Sequence, residues 1–200
     1  MSALQILLLV GSMFCLQAGF QPLFNGRDLD GWEVDTPTLW SVRDGMIVGK
    51  SAGLKYNDFL RTRRHYGDFE LRLSFRLVNG SGNSGIQFRS KPVPGSHEVA
   101  GYQADIGEQY FGCLYDESRR RKVLVQATAE SLAGLRRDGW NQYAIIARGD
   151  SVVLELNGVR TVEYVEKEVG IDRSGFIALQ VHGGPPMEVH FKDIRIRELP

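Results

Sequence analysis

Between Asp68 and Val78 apolar and polar residues alternate without a break. Phe69, Leu71, Leu73, Phe75 and Leu77 stand against Glu70, Arg72, Ser74 and Arg76. A repeat of two is that of a strand with one dry face and one wet face, and a helix does not present it. The stretch is bounded by Tyr66-Gly67 on one side and by the Gly, Ser and Asn residues from Asn79 to Gly85 on the other. The chain must therefore bury one side of a sheet, and the question becomes what the other side does.

The same pattern recurs in shorter pieces. Ile86 and Phe88 oppose Gln87 and Arg89; Tyr102, Ala104 and Ile106 oppose Gln103 and Asp105; Ile177, Leu179 and Val181 oppose Ala178, Gln180 and His182. Turn dipeptides join further runs into hairpins: Asp44-Gly45 within Trp40 to Val48, Arg148-Gly149-Asp150 between Trp140 to Ala147 and Ser151 to Leu156, and Asn157-Gly158 before Val159. Lys91 to Val99, with two prolines and a glycine, and Glu108 to Arg121, with mixed aromatics and charges, read as loops. Ser118 to Leu135 is the one stretch that could hide a short helix. With 200 residues, 23 glycines and no internal repeat, the expectation is one all-β domain over 20–199, a two-sheet antiparallel jelly-roll sandwich.

Leu4 to Leu16 is apolar and precedes Gln17-Ala18-Gly19, as in a signal peptide ending near residue 18. The run is short for a membrane span. The expectation is a secreted or periplasmic protein with no stable membrane insertion after cleavage. Removing residues 1–18 takes Cys15 and leaves Cys113 alone, so no internal disulfide can form. Lys plus Arg and Asp plus Glu both number 24, and no basic stripe is present, which argues against nucleic acid as a partner. Oligomeric state has no signature in the sequence.

Gln87 with Arg89, Gln103 with Asp105, and Gln180 with His182 each share a strand side. Were these strands neighbours, amides, a guanidinium, a carboxylate and an imidazole would line one surface. A saccharide needs such fixed donors and acceptors for its hydroxyls, plus an aromatic platform for which Trp140, Tyr110 and Tyr115 are candidates. An ordinary solvated sheet face would show the same parity. Asp105, Asp116, Glu117 and His182 lack the tight spacing of a zinc site. No cofactor is specified, although loop carboxylates and carbonyls leave a Ca2+ site open. Ser-His-Asp signatures and phosphate-binding glycine loops are absent, because Ser81-Gly82-Asn83-Ser84-Gly85 does not open a helix.

The opening Leu23-Phe24-Asn25-Gly26-Arg27-Asp28-Leu29-Asp30-Gly31-Trp32 resembles the N-terminal signature of the 3-keto-disaccharide hydrolase domain family. Trp40-Ser41-Val42-Arg43-Asp44-Gly45, Tyr66 to Leu71, Asn83-Ser84-Gly85-Ile86, Gly101 to Ile106, Trp140-Asn141, Leu179 to Gly183 and Phe191 to Ile196 match the same pattern in order. The resemblance implies a concanavalin A-like sandwich with a concave sugar-binding face and action on glycosides oxidised at C3. Cleavage of such a glycoside needs a base for the C2 proton, a stabiliser for the enolate oxygen and a donor for the leaving group, and Asp105 as base, Arg89 as oxyanion stabiliser and His182 or Glu117 as acid are the candidates. Gln87, Gln103, Tyr115, Asp116, Arg119, Trp140 and Gln180 are then the sugar contacts. Many members carry Glu and then Gln in the Gly-Tyr segment where this chain has Gln103 and then Asp105. The acid is thus displaced by one inward-facing position, and Asp116-Glu117 offers acids near the same strand end. A non-catalytic carbohydrate-binding module, or an adhesion domain of the cell envelope, uses the same fold.

Overall fold

Alternation in the sequence becomes strand in the computed structural model, which describes residues 19–200; the expected signal peptide and Cys15 lie outside the described residues. The first strands are β1 (Gln21–Pro22), β2 (Trp32–Glu33), β3 (Trp40–Arg43), β4 (Met46–Ser51), β5 (Asp58–Thr62), β6 (Phe69–Leu77), β7 (Asn83–Pro92) and β8 (Val99–Gly107). They are followed by β9 (Leu114–Glu117), β10 (Lys122–Val125), β11 (Asn141–Arg148), β12 (Ser151–Leu156), β13 (Val159–Val165), β14 (Phe176–Val181) and β15 (Met187–Glu198). Among the described residues the helical elements are two 3-10 turns, at Pro37–Leu39 and Val78–Gly80. Ser118 to Leu135 therefore holds no α-helix, and the segment expected as a loop from Glu108 to Arg121 contains β9.

Two antiparallel sheets result. The first runs β13-β12-β11-β6-β15-β4-β3, with β1 added against β15; the second runs β10-β9-β8-β7-β14-β5-β2. This is the jelly-roll sandwich that the turn spacing predicts. Asp44-Gly45 and Asn157-Gly158 close two-residue hairpins with positive φ at both positions (50° and 74°, 53° and 80°), the geometry that matches strand twist.

The inward side chains of both sheets meet in one core. Phe69, Leu71, Leu73, Phe75 and Leu77 of β6 are buried there against Phe88, Tyr102, Ala104, Ile106, Ile177 and Leu179 of the second sheet. Each fully buried large side chain of β6 contributes roughly 1.5–3 kcal/mol. Fixing this parity fixes the opposite one: whatever alternates with the core residues of β7, β8 and β14 must stand on the outer face of the second sheet.

Candidate functional site

Strands β14, β7 and β8 lie side by side in the second sheet. Their register sets Ala178 beside Gln87 and Gln87 beside Gln103, while Gly85 stands beside Asp105. Strand β9 extends the row, with Tyr115 against Gln103 and Glu117 against Gly101. Gln87, Gln103, Asp105, Gln180, Tyr115 and Glu117 thus share one face, although the sequence spreads them over nearly a hundred residues.

A cavity of about 160 Å³ opens on this face, lined by Gln103, Asp105, Tyr115, Glu117 and His182. Asn57, Asn83 and Tyr110 complete its wall. Asn57 ties the rim together: its amide nitrogen donates to both Glu98 carboxylate oxygens (3.2 and 3.1 Å), and its oxygen accepts from the Gly183 amide (2.9 Å). The His182 Nδ1 contacts the Gly183 carbonyl, which can only accept, so Nδ1 carries the hydrogen. A larger hollow, about 460 Å³, lies on the first sheet around Arg72, Ser74, Asp193 and Arg195. None of the residues predicted for the site lines it.

Below the cavity the polar residues are buried and ordered. Gln87 is fully buried, Gln103 and Asp105 almost so. The Ser90 hydroxyl donates to Gln87 Oε1 (3.0 Å), Gln87 Nε2 donates to Gln103 Oε1 (2.7 Å), and Gln103 Nε2 donates to Asp105 Oδ2 (3.3 Å). Two glycines make room. A Cβ on Gly85 would fall 2.4 Å from Gln103 Cδ, and one on Gly101 2.0 Å from Ser90 Oγ. Among the described residues, Asp105 Oδ1 and both polar atoms of the Gln180 amide are buried without a hydrogen-bond partner. Buried polar atoms nearly always have partners, so the Asp105 oxygen, on the cavity wall, marks where a ligand or ordered water belongs.

Burial sets the electrostatics. It pushes the Asp105 carboxyl up to about 8, helped by the charges of Glu117 and Glu108 and opposed by the Gln103 and Ile106 hydrogen bonds. Glu117 is pushed up to about 7, by burial first and then by Glu98, with Arg121 opposing. Burial also raises the Tyr115 phenol and the Cys113 thiol. Tyr143 reaches through from the first sheet, donating to the Asp105 carbonyl (2.6 Å) and accepting from the Gly112 amide (2.9 Å).

Four predicted site residues are elsewhere. Arg89 has φ of 48°, at a register shift between Phe88 and Lys91. This bulge breaks the parity and turns the guanidinium away from the site. It donates instead to the Gly67 carbonyl (3.0 Å), the Gly149 carbonyl (2.7 Å) and Asp68 Oδ1 (2.8 Å), and its side chain is 2% exposed. Ser90 takes the place on the face that parity gave to Arg89. Asp116 is buried on the inward side of β9, opposite Tyr102, and bonds Arg119 (2.8 Å) and Arg120. Arg119 covers the Tyr102 ring at 4.5 Å. These residues close an edge of the sandwich, with Arg120 reaching Glu166 at 2.6 Å. Trp140 sits against the outer side of the first sheet, beside Arg76, His190 and Lys192.

Asn57, in the cavity wall, and Ser90, in the buried polar layer beneath it, are not apparent from the sequence. Asn83 stood in a segment that carried the resemblance but was not singled out. Nothing in the pattern near Asn57 pointed to a site, because only the folding of its loop over β14 brings it there. Among the described residues no group of three or more His, Cys, Asp or Glu is placed to hold a metal ion.

A two-sheet β-sandwich with two carboxyls of raised pKa in a polar cavity on one sheet face has the architecture of carbohydrate-active proteins. The chain belongs to the 3-keto-alpha-glucoside-1,2-lyase-like domain family, whose model matches residues 19–197. No curated protein matches it. Among solved structures it is similar to a Parabacteroides distasonis protein provisionally designated a glycosyl hydrolase, with 21% identity, coverage of 91% of this chain and 94% of that one, and a TM-score of 0.72. It is also similar to the carbohydrate-binding module CBM66 from Bacillus subtilis (14% identity, 84% and 96% coverage, TM-score 0.63) and to a Bacillus licheniformis β-glucanase (13%, 90% and 97%, 0.59). At these identities the likeness is one of fold.

Proposed function

We propose that the chain cleaves glycosides of a 3-oxidised sugar by elimination and hydration, using the Glu117 and Asp105 pair. The observation that carries this reading is two carboxyls, Glu117 and Asp105, on one cavity, each with its pKa raised toward neutrality by burial. Holding one proton between them, such a pair supplies a base and an acid together. Glu117, the less deeply buried of the two, is taken as the base and Asp105 as the acid, the reverse of the expectation from sequence.

A ketone at C3 acidifies the C2 hydrogen. The Glu117 carboxylate takes that proton, and the C–H electron pair forms the enolate. As the carbonyl re-forms, the C1–O bond breaks and a C1–C2 double bond is left. Asp105 protonates the departing oxygen. Water then adds its oxygen to C1 and a hydrogen to C2, and the sum is hydrolysis. With Arg89 engaged elsewhere and the His182 hydrogen committed to the Gly183 carbonyl, Asn83, Tyr110 and Tyr115 are the cavity donors that face a developing enolate oxygen.

The test is incubation of the purified protein with 3-keto-glucosides and their unoxidised parents, following aglycone release. Release from the keto compounds only is the expected result. Release from the unoxidised parents alone would overturn the mechanism. The second reading, a carbohydrate-binding module, is favoured by the buried amide floor of Gln87, Gln103 and Gln180. Saturable sugar binding without release from any compound would establish it instead.

A further inference from the structure

Beneath the cavity a chain of three hydrogen bonds runs through the sheet face and ends on Asp105. A side-chain amide has one donating and one accepting end, so amides linked head to tail give a chain with a direction. Here every donor points the same way: Ser90 to Gln87, Gln87 to Gln103, Gln103 to Asp105 Oδ2. The Ser90 hydroxyl also lies 3.0 Å from the Phe88 carbonyl.

This direction constrains the proton on Asp105. A proton on Oδ2 would face the Gln103 NH2 group, donor against donor. Relief would require Gln103 to turn over, and Gln87 with it, since their facing ends would then clash in the same sense. Both side chains are buried, and Gln103 is packed over Gly85 so closely that a single added carbon would overlap it. Oδ1 has no partner. We propose that Ser90, Gln87 and Gln103 are positioning residues that keep the dissociable proton of Asp105 on Oδ1, the oxygen left over for a ligand. Ser90 and Gln87 touch neither the cavity nor Asp105 and act through Gln103.

Other groups bear on Asp105 as well. Glu117 comes from β9, Glu108 from the turn after β8 and Cys113 from the segment before β9; Tyr143 comes from the opposite sheet. Tyr110, Tyr115 and His182 share its cavity. None of them contacts Gln87 in the chain of bonds, which is what makes Gln87 the informative position.

The proposal rests on reading Asp105 as a proton-carrying group of the site, and its test uses no substrate. In the wild-type full chain, Asp105 carboxyl carbon and Gln87 and Gln103 side-chain amide nitrogen shifts are followed by NMR from about pH 5 to about pH 10, across the range in which burial places this carboxyl. The Gln87 amide is expected to titrate with the midpoint of Asp105, although Gln103 separates them. Gln87→Met removes the donor that holds Gln103 in place, and should raise the Asp105 midpoint by about half a unit or more by weakening a bond to the charged form. Gln103→Met should raise it further. A Gln87 amide that stays flat through the Asp105 titration overturns the proposal, and so does a folded Gln87→Met protein with an unmoved Asp105 midpoint. If Gln87→Met does not fold, the wild-type titration decides alone. Failure here leaves the aglycone-release assay untouched, and failure of that assay leaves this titration standing.

Discussion

Gln103 donates to Asp105, two residues further along the same strand, at 3.3 Å, and among the described residues this is the one side-chain hydrogen bond that the carboxyl receives. Apart from a hydrogen bond with the Ile106 backbone, the rest of its surroundings, burial first and then the charges of Glu117 and Glu108, favours the neutral form. The pair therefore works as a weak brake on protonation in a site that burial otherwise makes proton-rich.

The pH dependence of turnover follows from the two carboxyls. Activity should rise as the pair loses its first proton and fall as it loses its second, giving a bell centred at about 7 to 8. Glu117→Gln should lower kcat by about 10²–10⁴-fold and remove the rising limb. Rates of aglycone release across pH check both statements; a sigmoid with its midpoint near 4 would assign the chemistry to exposed acids.

Asp105→Asn should stabilise the protein while inactivating it. The folded carboxyl holds its proton to about 8, against 3.8 for the ordinary group. The folded state thus binds more protons between those values, and stability is lost as pH rises through that window. Asparagine cannot ionise and avoids the loss. The Tm advantage of the variant should be absent below about pH 4, grow with pH and level off above about 8. Thermal melts at several pH values measure it; equal melting of both proteins at pH 8 would mean the carboxyl is not buried as described.

Arg89→Ala should damage the fold. Three bonds join the bulge in β7 to Gly67, Asp68 and the Gly149 hairpin. Removing the guanidinium strands these partners at a cost of about 2–4 kcal/mol. Denaturant titration reads the loss. In whatever fraction remains folded, sugar handling should be unchanged, and so it should be in Trp140→Ala.

Gly85→Ala places a methyl group 2.4–2.7 Å from Gln103 atoms. Gln103 must move off Asp105, with an overpacking cost of about 1–3 kcal/mol. The expected signature is a drop in activity or sugar affinity well beyond the stability change, together with a raised Asp105 midpoint by NMR.

Parity along β7, β8 and β14 was enough to put Gln87, Gln103, Asp105 and Gln180 on one face, because each alternates with residues that the core claims. It failed at Arg89, where one residue in the left-handed region inserts a bulge that no pattern of residue types announces. Asp116 and Arg119 were misplaced for a different reason. Strand β9 is only four residues long and mixes Tyr, Asp and Glu, so its period was invisible, and with it the fact that Asp116 faces inward while Tyr115 and Glu117 face out. Trp140 belongs to β11's end of the other sheet, a matter of strand order that local sequence does not encode. The cavity wall at Asn57 depends on a loop closing over the sheet, and its residues carry no period at all.

Cys113 is fully buried, its thiol pKa pushed up by that burial, and its carbonyl accepts the Asp105 backbone amide at 3.1 Å. A thiol in that state does not react with alkylating reagents until the surrounding strands part. The chain thus carries its own clock for opening, set beside the carboxyl that matters most. With Cys15 replaced, the rate at which Cys113 becomes labelled reports how often this corner of the sandwich breathes, and any sugar that seats in the cavity should slow it in proportion to how tightly it binds.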